Sequence, residues 1–286
     1  MIITNITFFA VLIYRRTEMQ LTVVSWNILA PPFVDCDDYK STKCSSLQIG
    51  KRRPRIHKMI EENDDADVYL LQEVTKSELA RLEEKFGDRY KAYMAYHSKT
   101  HWGSSHLERN GNAILIKHDL VNAATHLKFD KAKLSNNGNY APVVILKIAE
   151  HRIILSSVHF DSEDENLRFV QARAITTYAK GAASSSKDVI VIGGDTNDPG
   201  DTINNYMRAR RRYSCCHSDK PTYFEEYKMS IDVVYLKSSV AKITKTIIPP
   251  SSASAIVEKY GSDHLPVTTV ITISNTQPRK TKKSKK

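Results

Sequence analysis

The sequence lacks the marks of several protein classes. Its four cysteines, Cys36, Cys44, Cys215 and Cys216, contain no Cys-X-X-Cys pair. Neither a zinc site nor a disulfide framework is expected, and a reducing intracellular compartment, cytoplasmic or nuclear, fits best. The apolar stretch Ile2 to Tyr14 falls short of the roughly 20 residues that cross a bilayer, so no stable membrane span is expected. No basic segment precedes it and no small-residue cleavage site follows, which argues against a secretory signal. An extra strand or an upstream extension is expected there, with Met19 an alternative start. Internal repeats and interdomain linkers are absent, which points to one domain. Acidic residues are the scarcer charge: 32 Asp and Glu against 42 Lys and Arg leave a net charge of +10. That excess favours polyanionic partners, nucleic acid first and an anionic membrane surface second.

What is present suits a globular chain with one sizeable core, since 41% of the 286 residues are hydrophobic. Residues 1–20 read as an extension, 21–274 as the folded domain and 275–286 as a basic tail. Like charges packed into Pro278 to Lys286 predict disorder there. Strands are expected at Leu21 to Leu29, Val68 to Gln72, Asn112 to Lys117, Val143 to Ile148, Ile153 to Val158, Val189 to Ile192, Ile231 to Leu236 and Val267 to Ile273. Helical spacing of Ile56, Met59 and Ile60 predicts a helix beginning near Pro54. Further helices are marked by Leu79, Leu82 and Phe86, by Leu167 to Tyr178, and by Ile203, Tyr206 and Met207. Most of the strands do not alternate cleanly, a pattern that suits two packed sheets with helices outside.

Val189-Ile-Val-Ile-Gly-Gly-Asp-Thr-Asn-Asp-Pro-Gly200 reads as a buried strand that delivers Asp195 and Asn197 to a surface. If the extended conformation persists, their side chains point the same way. Polar residues break or end other apolar strands similarly: Asn27, Glu73, His159, Asp232, and Asp263 with His264. Singly, each is an ordinary solvated or hydrogen-bonded residue. Together they form a set that chance is unlikely to supply.

In order, Trp26-Asn27, Gln72-Glu73, Gly111-Asn-Ala-Ile-Leu115, Val158-His-Phe160, Gly194-Asp-Thr-Asn197, Ile231-Asp232 and Ser262-Asp-His264 resemble the motifs of the endonuclease/exonuclease/phosphatase superfamily. The likeness runs from about Leu21 to Ser274. Trp26-Asn-Ile-Leu-Ala30 and the run from His159 to Gln171 are most similar to its deadenylase-like branch, which includes nocturnin and the Angel proteins.

The resemblance implies a four-layer α/β sandwich of the DNase I-like kind, two central, mostly antiparallel β-sheets flanked by helices. It implies a Mg²⁺-dependent hydrolase, with Mn²⁺ as an alternative ion, because hard divalent cations prefer oxygen ligands. Glu73 is then the primary metal ligand, with Asn27 and Asp263 completing or orienting the shell. Asp195 handles the attacking water, Asn197 holds a phosphate oxygen and His159 stabilises charge on the phosphoryl group. His264 acts as general base or phosphate ligand. Since its neighbour Asp263 points to the opposite face, Asp232 is the carboxylate expected to orient it. Asn112, Arg168 and Gln171 are the expected substrate contacts.

Tyr93 to Arg109 reads as a polar loop whose Tyr96, His97, His101 and Trp102 could stack bases. Lys51 to Arg55 reads as a solvated basic face with nucleic acid as a secondary contact. Arg208, Arg210, Arg211 and Arg212, with the tail, favour a polynucleotide over a small phosphate ester. RNA is the favoured partner, acted on as by a deadenylase-like 3′ exonuclease. The alternatives are a DNA endonuclease or DNA-repair phosphodiesterase, a phosphoinositide or sphingolipid phosphohydrolase, and a catalytically silent nucleic-acid-binding module.

Overall fold

The computed structural model describes residues 18–37, 39, 42–98, 108–216, 220–224, 228–250 and 256–274. The apolar N-terminal stretch, His101, Trp102 and the basic tail lie outside them. Among the described residues, fourteen strands form two six-stranded sheets and a short hairpin. The first sheet has the order β13-β14-β1-β2-β4-β3, with β1 at Glu18–Asn27, β2 at Val68–Thr75, β3 at Tyr90–Tyr96, β4 at Asn110–Lys117, β13 at Ala241–Ile247 and β14 at Val267–Ser274. The second runs β5-β6-β7-β8-β12-β9, with β5 at His126–Lys133, β6 at Tyr140–Ile148, β7 at His151–His159, β8 at Val189–Asp195, β9 at Ser214–Cys215 and β12 at Asp232–Lys237. Tyr223–Phe224 (β10) and Lys228–Met229 (β11) make the hairpin. Each large sheet has one parallel pair, β1 with β2 and β7 with β8, and is otherwise antiparallel.

Three apolar layers hold the sandwich together. Val23, Leu70, Ile114, Leu155, Val191 and Val234 meet between the sheets with no exposed surface. On the outer face of the first sheet, Trp26, Tyr69 and Leu71 pack against Ile56 and Ile60 of helix α2 (Ile49–Glu62), Leu82 of α3 (Lys76–Phe86) and Tyr260 of α7 (Ile256–Tyr260). On the outer face of the second, Ile154 and Ile192 meet Ala172 and Ile175 of α5 (Glu165–Ala182). Helices on both outer faces explain why the central strands are apolar at consecutive positions. Shorter helices are α1 (Cys44–Leu47), α4 (His118–Ala123) and α6 (Thr202–Asn205).

Toward one end of the inter-sheet layer, every second residue changes from apolar to small or polar and then to ionisable or amide. Val23, Ser25 and Asn27 do so on β1, Leu155, Ser157 and His159 on β7, and Val191, Gly193 and Asp195 on β8. A period of two keeps each series on one face, so the core grades into the site. Gly193 allows the close approach of the sheets: a Cβ there would lie 2.6 Å from Leu70 Cδ1.

Several expectations need correction. The stretch from Tyr93 is not loop at first, because Tyr90–Tyr96 pairs with β4 as an edge strand. The edge strands β5 and β13 were also unforeseen; their charged, half-exposed sequences suit sheet edges and carry no apolar run. Helix α2 begins at Ile49, so Pro54 lies inside it rather than at its start. The basic run there is no free patch, since Arg52 has no exposed surface and Arg53 pairs with Glu78. Cys36 and Cys44 form a disulfide with a Cα–Cα distance of 5.2 Å. The loop between them doubles back, which sequence spacing alone does not reveal, and the cysteine basis for a reducing compartment falls away.

A Cβ at Gly194 would lie 1.8 Å from the Val158 carbonyl oxygen on the neighbouring parallel strand, whereas one at Gly200 would meet nothing closer than 3.9 Å. Gly194→Ala should therefore cost about 3 kcal/mol or more, the upper end for overpacking. Gly200→Ala should be near neutral. Thermal denaturation of the two variants checks the difference, and equal melting temperatures would contradict this packing.

Candidate active site

The polar strand ends converge at one end of the sandwich. In register, His159, Asp195 and Asp232 lie side by side across β7, β8 and β12. Asn27 ends β1, while Asp263 and His264 lie in the turn before β14. Two bonds tie that turn to β1 and a third braces the turn itself. Trp26 Nε1 donates to the His264 carbonyl at 2.9 Å, Ser262 Oγ donates to the Asn27 carbonyl at 2.7 Å, and the His264 N–H donates to Ser262 Oγ at 3.1 Å.

Glu73 reaches the site through a break in strand regularity. By alternation it follows Leu71, which faces the outer helices. The β2–β4 register slips between Leu71 and Val74, and Glu73 takes a left-handed φ of 57°. A bulge with a strained non-glycine residue re-aims the side chain. Its Oε1 accepts from Asn27 Nδ2 at 2.8 Å and its Oε2 from the Ala30 N–H at 2.8 Å. Burial pushes the Glu73 carboxyl up from its ordinary range, Asp263 adds to the rise, and His159 with the two hydrogen bonds opposes it.

Asp195 Oδ2 accepts from Asn27 Nδ2 at 3.1 Å and lies 3.6 Å from His159 Nε2 and 3.7 Å from His264 Nε2. His264 Nδ1 meets Asp232 Oδ2 at 2.9 Å. Burial by itself would lower the His264 pKa, but Asp232, Asp263 and Asp195 together outweigh it and raise it well above the ordinary imidazole range. Tyr39, on the loop closed by the disulfide, donates to Asp263 Oδ2 at 2.9 Å. Sequence reading gave Tyr39 no role, and nothing in its local pattern signals one.

The extended conformation does not persist past Asp195. Asn197 takes a φ of 48°, its N–H donates to Asp195 Oδ1 at 2.9 Å and its Nδ2 donates to the Phe160 carbonyl at 2.9 Å. It still lines the cavity, through a turn rather than a strand face. Of the three expected substrate contacts, none lines that cavity. Asn112 is wholly buried between the sheets, with Nδ2 donating to the Tyr140 carbonyl. Arg168 Nη1 donates to the Asp161 and Ser162 carbonyls, and Gln171 Oε1 accepts from the Asp161 N–H. These two shape the loop after β7.

The cavity measures about 620 Å³, and its walls include Phe33, Tyr39 and Tyr223 beside Glu73, His159, Asp195, Asp263 and His264. Several buried carboxylates sharing one cavity, with Glu73 pushed up by burial, make a donor set that fits a hard divalent cation. Asp195, Asp232 and His264 also bring ligand atoms within 4.8 Å of one another. Asp232 does not line the cavity: its Oδ2 is engaged by His264 and its Oδ1 has no hydrogen-bond partner among the described residues, whereas Glu73 and Asp263 line the cavity while already accepting hydrogen bonds. Asn27 turns its amide nitrogen to the carboxylates, while its Oδ1 accepts from the Leu29 N–H at 3.0 Å.

Residues 24–264 match the model of the Endonuclease/Exonuclease/phosphatase family. The chain belongs to that family. Membership places it among phosphoester hydrolases. No curated protein sequence matches it. Solved structures share the fold at low identity. ANGEL2, described as a 2′,3′-cyclic phosphatase and solved with adenosine-2′,3′-vanadate, superposes with a TM-score of 0.76 at 15% identity, over 90% of this chain and 96% of that one. The human Nocturnin catalytic domain with bound sulfate gives 0.65 at 14% identity, over 91% and 98%. Truncated Caenorhabditis elegans TDP2 gives 0.58 at 21% identity, over 90% and 98%.

Two outcomes follow from these contacts. Arg52→Met should destabilise the fold by about 3 kcal/mol or more, because four buried carbonyls lose the guanidinium that satisfies them. Chemical denaturation measures that loss. The second concerns pH. A carboxyl raised in the fold contributes stability below its ordinary value of 4.5, and that contribution is lost as pH rises through the folded pKa. Metal-free protein should therefore lose stability from about pH 4.5 upward, and Glu73→Gln should flatten that part of the profile. Melting curves in EDTA with and without added Mg²⁺ test this; parallel profiles for both proteins would contradict it.

Proposed function

We propose that the protein is a divalent-metal-dependent phosphodiesterase that acts on RNA from a chain end. The observation that carries this reading is the convergence of Glu73, His159, Asp195, Asp263 and His264 in one cavity, with Asp232 bonded to His264. A bounded space of about 620 Å³ with aromatic walls suits a terminal nucleotide. The net charge of +10 favours a polyanionic substrate.

Glu73 and Asp263 would hold the ion, with Asn27 keeping Glu73 in place. When bound, Mg²⁺ neutralises charge on the phosphoryl oxygens. Asp195, ringed by donors from Asn27, His159 and His264, orients the attacking water and takes its proton. The raised pKa of His264 suits a cation against the phosphoryl group better than a base. His159, across Asp195, stabilises the same developing charge. Asn197, fixed by its turn, supports a phosphate oxygen.

A second reading is removal of a terminal 2′,3′-cyclic phosphate from RNA, favoured by the fold similarity to ANGEL2. Both readings begin with water attacking a phosphodiester at a chain end; removal of the cyclic phosphate then takes a second water to hydrolyse the monoester left by ring opening. Purified protein with Mg²⁺ should be assayed on poly(A), mixed-sequence RNA, RNA ending in a 2′,3′-cyclic phosphate, single-stranded DNA and blocked-end DNA. RNA should be hydrolysed first, and preference for either DNA would overturn the RNA assignment.

Asp195→Asn should lower single-turnover rates by two orders of magnitude or more, within the range for general base loss. Its dissociation constant for RNA in Ca²⁺ should hold or tighten, since a carboxylate near the phosphate path has been neutralised. Equal rates for the variant and the wild type would remove Asp195 from the mechanism.

A further inference from the structure

The arginines at 208–212 do not line the catalytic cavity, so that site leaves their chemistry unexplained. Their position follows from two segments that leave the site end together. Helix α5 starts at Glu165, shortly after His159, and α6 starts at Thr202, shortly after Asn197. Both head for the opposite end of the second sheet. There β9 pairs with the last residues of β12, and Lys237 pairs with Ile190 at the beginning of β8. From Glu165 to Lys180 the helix covers about 22 Å at 1.5 Å per residue.

An aromatic and cationic strip runs along this side. Nearest the site, Phe169 of α5 and Tyr206, which opens the π-helical turn Tyr206–Arg210, lie with ring centroids 4.5 Å apart. Phe169 keeps 39% of its surface exposed, next to Val170 at 52%. Next comes Arg211, whose guanidinium lies 5.3 Å from the Tyr206 ring centre and donates to the Tyr206 hydroxyl at 2.5 Å. Beyond it, Lys237 Nζ donates to the Arg211 carbonyl at 2.8 Å and sits 5.3 Å from the Tyr213 ring centre. Arg212 holds a left-handed φ of 58°, a costly conformation for a residue with a side chain.

Among the described residues, none of Lys180, Arg211, Arg212 and Lys237 forms an ion pair with a carboxylate. The Lys237 pKa is lowered by burial and then by Lys180, Arg211 and Arg212, three like charges within reach of the amine that Arg211 holds through its carbonyl. Such a grouping repels itself and lacks an internal counter-charge, so its complement is an external anion. Aromatic rings interleaved with arginines suit unpaired bases on a phosphate chain, since every base has a stacking face.

We propose that the strip from Phe169 and Tyr206 through Arg211 to Lys237 and Lys180 is a track for single-stranded nucleic acid whose end occupies the catalytic cavity. The track rests on the nucleic-acid reading of that cavity and adds to it a length requirement. A strand must extend out of the site along α5 to reach the cations. Affinity therefore grows with strand length, while chemistry on a short strand is indifferent to the track.

The test measures binding apart from hydrolysis. The full chain in Ca²⁺ is titrated with single-stranded RNA of four and of 24 nucleotides, by fluorescence anisotropy across a range of salt. The variants are Lys180→Gln/Arg211→Gln/Lys237→Gln, which removes the cations of the strip, and Phe169→Ala. On the long strand, the triple variant should bind at least tenfold more weakly. Its salt slope should flatten by about 2, at roughly 0.7 for each lost phosphate contact. Phe169→Ala should weaken binding of the long single strand but not of a duplex of equal length. Neither change should affect the four-nucleotide strand or its turnover in Mg²⁺. Unchanged affinity and slope on the long strand overturn the track, as does a loss confined to anionic lipid vesicles. Should track-dependent binding appear without hydrolysis of any strand, the track stands and the proposed reaction fails instead.

Discussion

One buried guanidinium holds the geometry on which the site depends. Arg52 has no exposed surface, and its donors reach the carbonyls of Leu47 at 2.7 Å, Ile28 at 3.1 Å, Gly261 at 2.9 Å and Leu29 at 2.8 Å. Those carbonyls belong to the last residue of α1, the chain just past β1 and the turn before β14. Each of the last two carries site residues: Ala30 binds Glu73, and Asp263 and His264 follow Gly261. A planar fork with five donors can join three segments where a lysine, a single charged point, could not. Burial lowers the Arg52 pKa, and Asp263, Tyr39 and Glu73 oppose that shift. The same carboxylates that would hold a cation therefore also stabilise the guanidinium behind them.

Around this anchor the backbone accepts strain. Leu29, Glu73 and Asn197 all have positive φ near the site, at 57°, 57° and 48°. Such conformations cost of order 1–3 kcal/mol each and persist only where surroundings over-determine them. The surroundings are visible in each case. The Leu29 N–H donates to Asn27 Oδ1, Glu73 is gripped by Asn27 and Ala30, and the Asn197 N–H donates to Asp195 Oδ1. Asn27 joins two of these, bridging Glu73 and Asp195 with one amide group.

The electrostatics follow from the same crowding. Burial raises Glu73 and Asp232, and the combined carboxylates raise His264 against the effect of its own burial. Without a cation, the cluster is a concentration of negative charge in a poorly solvated place. It is tolerable because His159, His264 and Arg52 stand around it. A divalent ion held by these carboxylates, as proposed above, would relieve that strain and so would link stability to catalysis at one location.

The sequence by itself determined the strands that lie wholly inside the sandwich, because continuous apolar runs such as Val189 to Ile192 leave no other place for them. It also determined the polar residues at their ends, since period-two spacing makes Asn27, His159 and Asp195 extensions of core faces. Asp232 is the expected partner of His264, and the two meet at 2.9 Å, but Asp263 and His264 lie in a turn and both line the cavity, so the strand alternation behind that choice does not apply. Only the tertiary structure decided the rest. The edge strands β3, β5 and β13 read as loops or were passed over because one side of each faces solvent and leaves no apolar signature. Arg52 looked like a surface charge beside Arg53, because its four partners are carbonyls distributed over more than 200 residues of chain. The roles of Tyr39, the Cys36–Cys44 disulfide and the bulge at Glu73 likewise depend on chain reversals and register slips, which arise from long-range packing and have no local code.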